Sequence, residues 1–245
     1  MHLQFVGCGD AFGSGGRFNT CFHLVGKQIN ALIDCGATSL VAMNRLAINR
    51  NDIETIFISH FHADHVGGLP SFVLEANYVA KRERPLTIAG PPGLKARYAE
   101  LLKLNFPGSE TLELRFPLAL KELEIGQPAA VGSIGVIPFH VLHDDRGGPC
   151  LGYRFDVDGK VIAFSGDTEW TETLIDIGRD ADLFICEAYT RDKPVSTHMA
   201  LSKLESHLGE IRPKRLVLTH MSQEMLAHRG ETPYETAEDG LIVKL

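Results

Sequence analysis

Short runs in which apolar and polar residues alternate dominate the first third of the chain. Segments 2–7, 20–25, 29–34 and 55–59 read as strands on this pattern. Between them stand a glycine-rich loop, Gly13 to Gly16, and a segment over 38–47 that reads as a helix. Pro70 suits the opening of a helix over 71–82, because the first helical turn has no use for the N–H that proline lacks. A strand is expected at 86–89 and an amphipathic helix at 94–105, with Leu101, Leu102 and Leu104 offered for burial. A second β-rich portion opens at 134–143, where alternation places Ile137, Phe139, Val141 and His143 on one face. Strands at 150–157 and 160–165 flank Asp158-Gly159, a dipeptide suited to a two-residue hairpin turn. Apolar strands at 183–186 and 215–219 enclose a helix over 200–209. No repeat or linker divides the chain, so one domain over 1–245 is expected. Pattern alone does not choose among mixed α/β folds.

Composition narrows the class. A chain of 245 residues, 44% hydrophobic, can bury a substantial core. Its net charge of −7 weighs against a long polyanionic partner, which usually meets a basic face. Five scattered cysteines form neither a disulfide framework nor a CxxC zinc pair. The N-terminal residues lack a basic region followed by a long apolar stretch, and no run approaches the roughly 20 apolar residues that span a bilayer. A reduced, cytoplasmic protein without a membrane segment is the expectation.

The chemistry concentrates in His60-Phe61-His62-Ala63-Asp64-His65, which follows the apolar run 55–59. Three imidazoles and a carboxylate within six positions suit a divalent metal, since neutral imidazole and carboxylate are good donors for zinc and similar ions. In extended backbone His60 and His62 project to one side and can grip one ion. Asp64 and His65, where the chain turns towards a helix, are offered to a neighbouring position. A merely histidine-rich surface loop is the bland alternative.

This HxHxDH motif resembles the signature of the metallo-β-lactamase superfamily. The likeness runs in order through Leu3-Gln4-Phe5-Val6-Gly7-Cys8-Gly9, Leu32-Ile33-Asp34-Cys35-Gly36, Gly67-Gly68-Leu69-Pro70 and Gly90-Pro91-Pro92-Gly93. It continues through Gly152-Tyr153-Arg154, Ser165-Gly166-Asp167-Thr168 and Leu218-Thr219-His220, and it points to the ribonuclease Z and phosphodiesterase branch. The resemblance implies a four-layer αββα sandwich with a dinuclear site at strand ends between two sheets.

Completing that site requires ligands from later in the chain. His140 and His143 compete for the third histidine of the first ion. His143 is preferred because it lies in phase at a strand end before the loop 144–149 and matches the family spacing to Gly-Tyr-Arg; His140 is the fallback. By resemblance Asp167 bridges both ions and His220 completes the second. The implied sets are His60, His62, His143 and Asp167 on one metal, and Asp64, His65, Asp167 and His220 on the other, with Asp64 counted among the catalytic groups too. Flavodiiron-type relatives carry Glu at the position of His62, so zinc is favoured, with manganese as the other ion considered. Asp34 reads either as a carboxylate that orients a ligand histidine or as a cap for the helix after Gly36.

Two ions a few ångströms apart lower the pKa of water between them and neutralise charge on a phosphoryl or carbonyl oxygen. Glu187 and His198 resemble the pair that handles the leaving group in ribonuclease Z, although Met199-Ala200 replaces the usual Ser-Thr after that histidine. The bland alternative for His198 is a capping or packing histidine ahead of the helix over 200–209. Gly13 to Gly16 lacks the Lys and Ser/Thr of a phosphate loop and reads as a pocket rim. Arg17 and Arg146 read as solvated, and Cys35 and Cys150 as small buried thiols.

The leading expectation is a binuclear hydrolase of small anionic phosphodiesters such as cyclic nucleotides or nucleotide-derived esters. The stretch between His143 and Asp167 is filled by one loop and a hairpin, which leaves no room there for the tRNA-reaching arm of ribonuclease Z. Processing of tRNA is therefore not favoured. A lactone, thioester or amide hydrolase is the second enzyme reading, and a non-catalytic metal-binding scaffold the third. A homodimer is compatible with the family and nothing in the pattern requires it.

Overall fold

Alternation along the strands sends successive side chains to opposite apolar layers, and this organises the molecule. The computed structural model describes residues 1–245. The first half supplies β1 (His2–Gly7), β2 (Cys21–Val25), β3 (Asn30–Ile33), β4 (Thr55–Phe57), β5 (Leu86–Gly90) and β6 (Leu118–Glu122). The second supplies β7 (Ala129–Val131), β8 (Ile134–His140), β9 (Leu151–Val157), β10 (Lys160–Phe164), β11 (Leu183–Glu187), β12 (Leu216–Thr219) and β13 (Glu235–Thr236), after which β14 (Ile242–Lys244) returns to the first half. Two seven-stranded sheets result, in the orders β14-β1-β2-β3-β4-β5-β6 and β13-β12-β11-β10-β9-β8-β7. In the first sheet β3, β4, β5 and β6 run parallel, and in the second β10, β11, β12 and β13 do, while the remaining pairs are antiparallel. The mixed sheets thus echo each other.

The facing sides bury Leu3, Phe5, Phe22, Leu24 and Phe57 against Phe155, Phe164, Ile185 and Val217. Their rings meet edge to face, Phe57 on Phe155 at 4.9 Å and Phe22 on Phe164 at 5.2 Å. The outer side of the first sheet is covered by α1 (Ser39–Arg45), α2 (Ala63–Val66), α3 (Leu69–Tyr78) and α4 (Leu94–Asn105), through Met43, Val66, Phe72 and Leu102. That of the second is covered by α5 (Thr173–Gly178), α6 (Leu201–Glu205), α7 (Leu208–Ile211) and α8 (Gln223–His228), through Leu174, Leu201, Ile211 and Met225. The layers run helix, sheet, sheet, helix, as the resemblance implied. Phe57→Ala removes a fully buried ring from the centre and is expected to cost about 3–5 kcal/mol of stability, read by urea unfolding.

Several local expectations need correction. Leu104 is 80% exposed, because burial along α4 falls on Leu94, Tyr98 and Leu102. The helix expected over 200–209 breaks after Glu205 into α6 and α7. The strand expected over 134–143 ends at His140, so alternation does not carry as far as His143. The hairpin turn holds: Asp158 and Gly159 both have positive φ, 52° and 76°, as such a turn requires.

Candidate metal centre

Parallel pairing brings the second half's acidic and imidazole groups to one edge. Phe164 pairs with Ile185 and Glu187 with Thr219, so the chain leaves β10, β11 and β12 on the same side, carrying Asp167, Glu187 and His220. In the first sheet the parallel pair β3 and β4 releases Asp34 and His60 at its own edge. The two edges are tied together there: Tyr153 donates its hydroxyl to the Ile58 carbonyl at 2.6 Å, and Leu151 N–H donates to Ser59 at 3.0 Å. Two glycines permit the packing. A Cβ on Gly36 would lie 2.1 Å from the Asp64 carbonyl oxygen, and one on Gly166, at φ 62°, would lie 2.4 Å from that of Leu151. Asp34, Thr197 and His220 are non-glycine residues with φ of 60°, 68° and 54°, and all three adjoin the site.

Three of the imidazoles, those of His60, His65 and His143, are oriented by a bond on their far side. His65 Nδ1 donates to Asp34 at 2.7 Å, and Ser59 donates both its N–H and its hydroxyl to the same carboxylate, at 2.7 and 2.8 Å. With its proton committed to Asp34, the Ser59 hydroxyl accepts from His60 Nδ1 at 3.0 Å. His143 Nδ1 donates to the Thr197 carbonyl at 2.8 Å. These bonds fix the tautomers so that Nε2 of His60, His65 and His143 is left as the inward acceptor, that of His143 facing His62 Nδ1 at 3.0 Å. Asp34 therefore orients ligand histidines. It caps no helix, since α1 begins after Thr38.

The inward atoms converge. Asp167 Oδ2 lies 3.2 Å from His65 Nε2 and His220 Nε2, and 4.0 Å from Nε2 of His60 and His143. Asp64 Oδ2 stands 3.2 Å from His65 and from His220. Four overlapping groups of donors have ligand atoms within 4.8 Å of one another: His60 with His62 and His143, Asp64 with His65, Asp167 and His220, His143 with Asp167 and His198, and Glu187 with His198 and His220. Nε2 of His60 and of His65 is buried without a hydrogen-bond partner, a costly arrangement that a cation on that side removes. Burial holds His60 well below the usual imidazole range, keeping it a neutral donor. Burial also opposes charge on His65 and His220, but Asp167 and Asp64 outweigh it, lifting His65 well above that range and His220 to about 9. Asp167, despite burial, is held well below the usual carboxylate range by His220 and His65. The carboxylates thus demand positive charge at the centre, and divalent ions meet that demand with neutral imidazoles. The donor set fits such ions.

Glu187 and His198 stand beside this cluster. Fully buried Glu187 accepts from the Thr168 N–H with one oxygen and from His198 Nδ1 at 3.0 Å with the other. Burial disfavours the charge on His198, but the bond to Glu187 outweighs it and raises its pKa. Tyr189 stacks on the His198 ring at 4.5 Å. The cavity over the cluster, about 190 Å³, is lined by His62, Asp64, His143, Asp167, His198 and His220 together with Phe12, Asp144, Tyr189 and Thr197. Those last four lacked any spacing signal in the sequence.

Other expected residues lie elsewhere. His140 bonds Asp145 at 2.8 Å, outside the cluster. His143 reaches the cluster by a detour: Leu142 N–H donates to Thr168 Oγ1 at 3.0 Å, drawing the chain off β9 towards Asp167. Arg17 is half-buried and donates to the Ala237 carbonyl at 2.7 Å, so it is held by the protein while still meeting solvent. Arg146 is exposed and pairs with Asp144. The cavity rim is made by Ala11 and Phe12, one step before the glycine run, while Gly15 N–H bonds Gln223 at 3.2 Å. Cys35 and Cys150 are buried free thiols, as expected.

Comparison with known proteins places this geometry. The sequence model of the family described as Anti-Pycsar protein Apyc1 matches residues 1–240. Ribonuclease Z of Agathobacter rectalis is 26% identical, over 86% of this chain and 84% of that protein. Human tRNase Z, short form, superposes with a TM-score of 0.80 at 24% identity, covering 100% of this chain and 99% of that one. The metallo-β-lactamase fold protein YhfI of Bacillus subtilis superposes at 0.78 with 16% identity, over 99% of both chains. The chain has the metallo-β-lactamase fold and is a metal-dependent hydrolase of ribonuclease Z-like type. No helix is long and apolar enough to cross a membrane.

Proposed function

We propose, for a chain that belongs to the Anti-Pycsar protein Apyc1 family, that it hydrolyses small anionic phosphodiesters, cyclic nucleotides or nucleotide-derived esters among them. The observation that carries this reading is the Glu187–His198 pair, bonded at 3.0 Å at the edge of a paired metal-donor cluster. On this reading His60, His62, His143 and Asp167 hold one ion, and Asp64, His65, Asp167 and His220 the other. Zinc suits the histidine-rich set, and manganese is the alternative. Bound there, two divalent ions supply a nucleophile from water near neutral pH and positive charge against the phosphoryl oxygens.

The remaining work falls to the protein's own groups. Glu187 occupies Nδ1 of His198 and favours its protonated form, so Nε2 is the donor left for substrate. As the oxygen of water bonds to phosphorus and the P–O bond to the alcohol breaks, the leaving oxygen takes the His198 proton. Solvent restores that proton and accepts the one that water loses. An ester of a poorly acidic alcohol needs this donor most. Stacking by Tyr189 and the fully buried Glu187 hold the ring in place.

Between His143 and Asp167 the chain contains only a short turn, Asp145–Gly147, and the β9–β10 hairpin. That economy favours a small substrate over tRNA. Five free, buried cysteines suit a reducing, cytoplasmic setting. Protein loaded with zinc or manganese is expected to bind close to two ions per chain and to hydrolyse bis(4-nitrophenyl) phosphate, with metal content read by mass spectrometry and turnover by absorbance. Turnover confined to precursor tRNA would move the assignment to tRNA processing. Turnover confined to lactones or thioesters would move it to carbonyl chemistry.

A further inference from the structure

His198 lines two cavities, one on either side of its ring. On one side lies the cavity over the metal donors, about 190 Å³. On the other lies a larger one of about 560 Å³. Ligand pockets for drug-sized molecules begin near ~300 Å³, so the smaller space suits a phosphoryl group and the larger an organic substituent. The larger cavity has apolar walls from Trp170, Pro194, Val195 and Met199, and polar ones from Ser202, Lys203 and the carboxylates Glu169 and Asp192.

These walls are well anchored. The Trp170 ring is stacked on His207 with centroids 3.7 Å apart and planes 9° from parallel, and the Lys203 ammonium lies 5.9 Å from its centroid. The segment carrying Pro194 and Val195 is closed on itself, with Thr190 Oγ1 donating to the Lys193 carbonyl at 2.5 Å. It is pinned to the end of β11 where Tyr189 N–H donates to Met199 at 2.9 Å and Leu201 N–H to Thr190 at 2.9 Å.

The direction of proton transfer decides what this space receives. If His198 protonates the leaving oxygen, that oxygen lies against His198, and the carbon skeleton behind it extends away from the metal donors. Beyond His198 the open space is the Trp170 cavity. A flat heteroaromatic ring on a hydroxylated stem matches it: aromatic and aliphatic walls for the ring, a hydroxyl and an ammonium for its polar edge, and the carboxylates of Glu169 and Asp192 to accept from hydroxyl and amino groups. We infer that the Trp170 cavity is the subsite for the nucleoside of the leaving alcohol, an inference that rests on the phosphodiester reading above.

Trp170 is the only tryptophan in the chain, so its emission reports on this cavity without a label. Zinc-loaded protein titrated with nucleoside 5′-monophosphates should show saturable quenching, and inorganic phosphate, which reaches only the metal side, should show none. Kinetics supply the second arm. A nucleoside 3′,5′-cyclic monophosphate is compared with 1,3-propanediol cyclic phosphate, the same six-membered phosphodiester without a nucleoside. In Ser202→Phe, which projects a ring into the cavity, the ratio of the two kcat/KM values should fall about fivefold or more through KM, the low end of one base–aromatic stack. Trp170→Ala should lower the ratio likewise, and Trp170→Phe should restore most of it. A silent tryptophan and an unmoved ratio, with both diesters still hydrolysed, would overturn the subsite and leave the phosphodiesterase standing. Wild-type protein that hydrolyses neither diester would remove both.

Discussion

Asp167→Ala is expected to release metal and to lower phosphodiester turnover by about 10³-fold or more, the scale at which electrostatic stabilisation of a transition state is lost. The reason is position. One carboxylate oxygen stands 3.2 Å from His65 and His220 and 4.0 Å from His60 and His143, so it is the carboxylate that reaches histidines of both donor sets. Truncating it takes a negative charge from the centre of buried imidazoles whose orientations are set by Asp34, Ser59 and Thr197. Metal per chain, measured after dialysis, should drop from about two to one or fewer. Asp167→Ala protein that kept both ions and full turnover would remove Asp167 from the bridging position.

His198→Ala should behave in the opposite way, keeping its metal while losing about 10²- to 10⁴-fold in turnover, the range of general acid catalysis. The ring is 19% exposed, bonded through Nδ1 to Glu187, and outside the two donor sets assigned to the ions. The size of the loss should depend on the leaving group. An alkoxide needs the proton, whereas 4-nitrophenolate departs without it, so cyclic nucleotide turnover should fall much further than bis(4-nitrophenyl) phosphate turnover. Equal losses on both substrates would indicate that His198 positions substrate or holds the 190–200 segment and does not donate a proton. Glu187→Gln should reproduce a smaller version of the same selectivity, because it weakens the charge on His198 without removing the ring.

Much of the centre is legible in the sequence because its elements are local. The HxHxDH run carries four donors on six consecutive residues, and the strands around it alternate clearly enough to be read one by one. The limits were physical. Strands β13 and β14 are two and three residues long, and β14 pairs with β1 at the other end of the chain, so no short window of sequence contains the partner that makes it a strand. The same holds for β6, an edge strand whose Lys121 and Glu122 are exposed.

The choice between His140 and His143 shows the boundary well. Strand phase and family spacing both point to His143, yet the strand stops at His140, so phase does not place His143. His143 is turned inward by Thr168, which draws the chain aside, and by the Thr197 carbonyl, 54 residues away, which takes its Nδ1 proton. By itself the sequence determined which donors exist, their order and the αββα class they resemble. Tertiary structure alone decided which lone pairs face one another and that Phe12 and Tyr189 line the metal cavity. It alone also set a tryptophan-walled space behind His198. Residue type and alternation are properties of neighbours along the chain. Convergence on a common point is a property of sheet edges assembled from segments more than a hundred residues apart.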